Sequence, residues 1–123
     1  MAAPNIVNVA TIIAKTYGNV LTTSNVIHLA NPASSGNVIK VNNIVISNVD
    51  GSSAAEVTLE LNSAAAGTGT ATRLVSTVSV PADASLIVTD KSTSFYMEEN
   101  TSLKGFSGTN GDLEMVVSYE VIT

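Results

Sequence analysis

The stretch NIVISNVDGSSAAEVTLELN, residues 43–62, decides the fold class. In its first half, Ile44 and Ile46 fall on one side of a two-residue period while Val45 and Ser47 fall on the other. In its second half, Val57, Leu59 and Leu61 alternate with Glu56, Thr58 and Glu60, the pattern of a half-buried strand with a wet outer face. Between them lies a polar connection centred on Asp50-Gly51, a turn dipeptide. The stretch therefore reads as two strands paired through that turn.

Working outward, residues 38–48 form one long β-branched run, and the doubled Asn42-Asn43 shifts its alternation, which predicts a bulge. Upstream, residues 1–5 read as a loosely held arm. Residues 6–21 read as one or two short strands interrupted by Gly18, and residues 25–30 as another that stops at Asn31-Pro32. Downstream, the small residues of 62–72 predict an exposed loop or mobile tip. Strands follow at 73–81, ended by Pro81, at 85–90, at 92–100 and at 101–108. Asn110-Gly111 predicts a type I′ hairpin. The last strand places Leu113, Met115, Val117, Tyr119 and Val121 on one face, with Glu114, Val116, Ser118 and Glu120 on the other. About eight strands at this spacing predict an all-β chain, a single antiparallel β-sandwich over residues 6–123 with jelly-roll-like connectivity.

Composition agrees. Apolar residues make up 45% of the 123 and aromatics only 4%, with no Trp, so Val, Ile, Leu and Ala must fill the core. Val and Ile suit a pleated surface better than a helix. The net charge is −5, and the five cations (Lys15, Lys40, Arg73, Lys91 and Lys104) are scattered. Phosphate recognition needs clustered cations, so neither nucleic acid nor an anionic membrane is an expected partner. With no cysteine there is no disulfide scaffold and no thiolate metal site. The opening residues lack the charged and apolar blocks of a signal peptide, and no apolar run approaches the roughly 20 residues of a spanning helix.

The search for chemistry yields no catalytic, cofactor or metal residues, and the chain is not expected to be an enzyme. His28 is the only histidine, and without a second ligand or a nearby acid it reads as a surface or hydrogen-bonded residue. Asp50, Asp83, Asp90 and Asp112 each stand alone in a turn, where Asx hydrogen bonding accounts for them; a Ca²⁺ site would have to assemble from distant loops. Glu98 and Glu99 are adjacent, so on a strand they point to opposite faces and cannot share a cleft. GTGT at 67–70 lacks the lysine and helix of a phosphate cradle. Val45, Val116 and the alanines at 64–66 fall on the outer side of the alternation. They read either as an exposed interface patch or as part of a strand buried on both sides.

Several longer phrases carry a family resemblance: SSGNVIKVNNI entering a strand, SNVDG at a turn, VSVPADASL, YMEENTSL, and NGDLEMVVSYEVI at the C-terminus. Over roughly residues 10–122 the chain resembles small virion structural proteins of tailed bacteriophages, including phages of marine and freshwater bacteria. The resemblance implies a β-sandwich module without catalytic residues that decorates the capsid as a cement protein. It implies binding to the major capsid protein, a position on the particle surface after assembly in the host cytoplasm, and a homo-oligomer, expected as a trimer. The alternative it leaves open is a neck, tail, baseplate or fibre module that binds a receptor or carbohydrate. Residues 1–5 and the 62–72 loop are the expected shell contacts. Sugar binding would need exposed aromatic platforms, and Tyr17, Tyr96 and Tyr119 are the only tyrosines, with Tyr119 expected to be buried.

Overall fold

The computed structural model describes residues 4–123, and within them the chain forms nine strands and one short 3₁₀ turn. The strands are β1 (Ile12–Val20), β2 (Val26–Asn31), β3 (Val38–Asn48), β4 (Ala55–Asn62), β5 (Ala71–Val80), β6 (Ser85–Thr89), β7 (Phe95–Met97), β8 (Thr101–Ser107) and β9 (Leu113–Ile122). One sheet runs β1-β9-β3-β6, with β7 also paired to β3, and the other runs β2-β8-β4-β5. All pairings are antiparallel. β6 pairs with Ile44–Ser47 and β7 with Ile39–Val41, so both lie along the same edge of β3 as one interrupted strand. Counted that way there are eight strands in two four-stranded sheets, and successive strands, β4 and β5 apart, cross between the sheets in the order of a jelly roll. The expected sandwich and its connectivity are both present.

The stretch that signalled the fold is split between the sheets. β3 belongs to the first sheet and β4 to the second, so the Asp50-Gly51 connection crosses the sandwich and joins no hairpin. The same correction applies at Asn110-Gly111, which carries the chain from β8 in one sheet to β9 in the other. Only Gly111 has the positive φ that a type I′ turn requires at both central residues. The β4–β5 pair is the real hairpin, closed by residues 63–70.

Alternation reported the inner faces well. Ile39, Val41, Ile44, Ile46, Met115 and Val117 line the first sheet and Val57, Leu59 and Leu103 the second, all buried in one core with Leu21, Met97 and Leu113. Each fully buried aliphatic of this size contributes roughly 1.5–3 kcal/mol. The bulge at Asn42 is present: the β3–β9 register shifts between Val41 and Asn43, which keeps Ile39 and Val41 on the core side as well as Ile44 and Ile46.

Other local expectations are corrected. Gly18 does not interrupt a strand; it lies inside β1, opposite Val116. Residues 4–11 carry no strand, and of the arm expected at 1–5, residues 1–3 lie outside the described ones. Residues 92–100 are not one strand, because Lys91–Thr93 form the 3₁₀ turn capped by Asp90 before β7 begins. The outer face of β4 is wet only at Glu56: Thr58 is 4% exposed and Glu60 only 3%. Glu60 pairs across the strands with Lys104 and Arg73, and Asn25 donates to its Oε1 at 3.0 Å. Its Oε1 lies 4.0 Å from Arg73 Nε, the only ion pair among the described residues.

Candidate functional site

Several polar side chains in the described chain hold structure, His28 among them. His28 is buried where the two sheets meet at an edge. Its Nε2 lies 3.1 Å from the Gly105 carbonyl oxygen, which can only accept, so Nε2 carries the proton. Nδ1 therefore accepts from the Tyr17 hydroxyl at 3.1 Å, and that oxygen in turn accepts from Asn19 Nδ2 at 2.9 Å. The relay joins β1 of one sheet to β2 and β8 of the other. Burial pushes the His28 pKa below its ordinary value, partly offset by the Gly105 bond, which favours the neutral ring this geometry needs.

The four turn aspartates divide. Asp90 stands apart, capping the 3₁₀ turn through Ser92, whose hydroxyl and amide hold its carboxyl below the usual range. Asp50, Asp83 and Asp112 come from three loops gathered at one end of the sandwich. Asp83 N donates to Asp50 O at 3.2 Å and Val49 N to Asp112 O at 2.9 Å. Ser52 donates twice to the Asp50 carboxylate and lowers its pKa, whereas desolvation and the Asp50 charge raise that of Asp112. Among the described residues no three His, Cys, Asp or Glu side chains are placed to hold a metal ion. Glu98 and Glu99 lie on no strand, contrary to the expectation, but in the turn between β7 and β8, where Glu99 accepts from Gly36 N at 3.1 Å and Glu98 lines a recess with Val38 and Tyr96.

The 62–72 loop and the described part of the expected arm, from Pro4 onward, lie at the opposite end. The 62–72 loop is not a mobile tip but a pinned one. Asn62, buried, accepts from Ala64 N and Gly69 N and donates to the Gly67 and Gly69 carbonyls. Ser102 donates to Ala64 O, Lys104 Nζ to Gly67 O, and Asn100 Oδ1 accepts from Ala65 N. Gly67 has φ +75°, and a Cβ there would press on Ile27 and Lys104, so the close approach needs glycine. From Asn100 the bonds continue through Asn31 to Asn37, then to Thr123, which accepts from Ala10 N. Pro4 and Ile6 share a surface recess with Val38, Tyr96 and Glu98 at this same end.

Sequence reasoning missed the device that builds both ends. β2, β3 and β4 each finish on a buried asparagine: Asn31, Asn48 and Asn62. Each side chain bonds the loop that follows: Asn31 to Asn37 O, Asn48 to Ser53 O and Asp50 N, and Asn62 to its own loop. The available signal was the recurrence of Asn at the last position of an apolar run. Of the tyrosines, Tyr96 is exposed, while Tyr17 and Tyr119 pack against the core. Val45 and Val116 pair on the outer face, Val45 half-buried and Val116 exposed, so the reading as a strand buried on both sides does not hold for them.

No family model matches the chain, and no curated protein matches it. Among solved structures it is similar in fold to one described as "Bacillus endospore appendages form a novel family of disulfide-linked pili". That likeness has 18% identity and a TM-score of 0.51, covering 91% of this chain and 87% of the other.

Proposed function

We propose that this chain is a structural module of a phage particle, a decoration protein that binds the outer capsid surface and stabilises the shell through protein–protein contacts. The observation that carries the proposal is the convergence at one end of the sandwich of the 62–72 loop with Pro4 and Asn5, the described residues of the expected arm, and the segment that follows them. There the pinned 63–70 loop is joined through Asn100, Asn31, Asn37 and Thr123 to Ala10, and the segment that precedes Ala10 exposes the apolar residues Ile6 and Val7. A loop already held by Asn62, Ser102 and Asn100 loses little conformational freedom on docking, so more of the contact energy appears as affinity. Binding of this kind stabilises the bound shell by mass action and requires no reactive site. Jelly rolls are a recurrent capsid architecture, which supports the reading by analogy of fold.

Quantitative mass spectrometry of purified virions tests it. Hundreds of copies per particle are expected. A few to a few dozen would instead place the module at the neck, tail or baseplate, and none would refute a virion role. Removing residues 1–7 together with shortening the 63–70 loop should abolish capsid binding; unchanged binding would refute the assignment of the contact end.

A second reading, a subunit of a surface fibre, is favoured by the fold likeness to the endospore pilus protein. The 123 residues contain no cysteine, so a fibre built from them would hold together without disulfides. Electron microscopy of the purified chain at high concentration separates the readings: filaments without capsids support the fibre.

A further inference from the structure

The outer face of the β1-β9-β3-β6/β7 sheet is complementary to itself, and we infer that it docks a second copy of this chain, face to face, about a twofold axis lying between β9 and β3 along the strands. The register supplies the argument. Across the four strands one outer row reads Gly18, Val116, Val45, Ile87. Val116 is 45% and Ile87 63% exposed, and Gly18 lines an open recess with Val20 and Val116. A knob thus stands at one edge of the row and a hole at the other.

A twofold axis along the strands exchanges β1 with β6/β7 and β9 with β3. It sets Ile87 of each copy over the Gly18 hole of the other, and Val116 over Val45. Two rows away, the outer positions read Ala14, Glu120, Lys40, Tyr96. The same operation sets the exposed Tyr96 over Ala14, and Glu120 of each copy over Lys40 of the other. Size and charge are matched at once, in two independent rows. Of the other face charges, Glu114 meets the Ser47 hydroxyl, a hydrogen-bond donor, and Glu98 stands at the margin of the face beside Tyr96 and Val38. A twofold axis across the strands would instead stack Ile87 on Ile87 and leave Gly18 over Gly18, so the complementarity selects the orientation as well as the partner.

The area is adequate but modest. Four strands about 4.8 Å apart and four rows about 7 Å apart give roughly 500 Å² per copy, near the lower limit for a specific interface. The expected product is a reversible dimer with a dissociation constant of roughly 10–100 µM. This inference stands apart from the virion proposal, because it concerns the purified chain alone. A twofold pair is also not the trimer that the family resemblance implies, which would need a different, heterologous contact.

Sedimentation equilibrium of the full chain, from low micromolar to about 1 mM, is the test. A monomer–dimer equilibrium is expected. Gly18→Arg fills the hole; the nearest atom to a Cβ there is Met115 O at 3.9 Å, so the monomer accommodates it. It should weaken the dimer at least 10-fold with an unchanged thermal midpoint. Lys40→Glu and Glu120→Lys should each weaken it by a similar factor, and the double variant should restore it to within about 3-fold. A monomer at every concentration, a trimer, an unaffected dimer in Gly18→Arg, or a double variant no better than the singles would each overturn the inference.

Discussion

Tyr17→Phe removes one oxygen from the edge where the sheets are latched, and its cost follows from what that oxygen leaves behind. The Tyr17 hydroxyl is the donor to His28 Nδ1, and His28 is 7% exposed. Without it a buried acceptor loses its partner, at a cost of about 1–3 kcal/mol. Tyr17 itself is half-buried, so water replaces part of the bond and the lower part of that range, about 1–2 kcal/mol, applies. For 123 residues at about 2.1 cal/mol/K each, the unfolding entropy near the midpoint is about 0.26 kcal/mol/K. The thermal midpoint at pH 7.5 should therefore fall by about 4–8 °C. Calorimetry reads this directly, and a midpoint within about 1 °C of the parent would refute a structural role for the relay. The pH dependence is a second arm. Burial holds the folded pKa of His28 below its ordinary value of 6.5, so the unfolded chain binds the extra proton first. The stability that the neutral ring contributes is fully present above the unfolded value and is lost as pH falls through the folded one. His28 is the only histidine, so between pH 7.5 and 5.5 the parent should lose more stability than His28→Gln. Parallel pH profiles would refute the assignment.

Three further outcomes are expected. Asn62→Ala releases two amide donors and two carbonyls of the β4–β5 loop, so stability should fall by about 2–3 kcal/mol and limited proteolysis should cut within residues 63–70, where the parent resists. Gly105→Ala drives a Cβ into Leu59 and towards the Thr58 carbonyl, and should cost about 1–3 kcal/mol in denaturant melts; a neutral result would mean that β8 shifts freely against β4. Leu59→Ala opens a cavity among residues of the central core and should cost about 3–5 kcal/mol without change in circular-dichroism shape.

Alternation made the inner faces legible because a two-residue period reports which side of a strand meets the core. It does not report which strand lies alongside. Asp50-Gly51 and Asn110-Gly111 have the chemistry of tight turns, and that chemistry serves a crossing between sheets as well as a hairpin. The wet face expected for β4 holds at Glu56 but failed at Thr58 and Glu60 for the same reason. Glu60 looks solvent-facing within its own strand, but Lys104, Arg73 and Asn25 arrive from three other segments to cover it. At the ends of the sandwich, the strand-final asparagines were visible as letters, yet their role depends on partners such as Val80 O and Met97 O, which only the tertiary fold brings near. His28 was read as a surface or hydrogen-bonded residue and is buried and hydrogen-bonded, but Tyr17 and Gly105, its two partners, come from strands in different sheets that its own strand does not reveal.

The four sheet edges are not equivalent, and the difference bears on how this chain can assemble. An exposed edge is an invitation to strand addition unless it is bent, broken or charged. The β6/β7 edge is broken by the 3₁₀ turn at Lys91–Thr93. β5 departs from register with β4 at two places, and Thr77 within it adopts φ 48°. β2 is bulged between Ile27 and Leu29. β1 alone keeps unbroken register along its whole length, from Ile12 to Val20 against β9, and it exposes Ile12 and Ile13. Its one charged residue, Lys15, lies on the core-facing side opposite Tyr119, where an added strand would have to bury or displace it. Edge addition at β1 and face pairing through Gly18 and Ile87 use different surfaces of the same sheet. A copy docked on the face therefore leaves the β1 edge open, and growth along that edge would be limited first by Lys15.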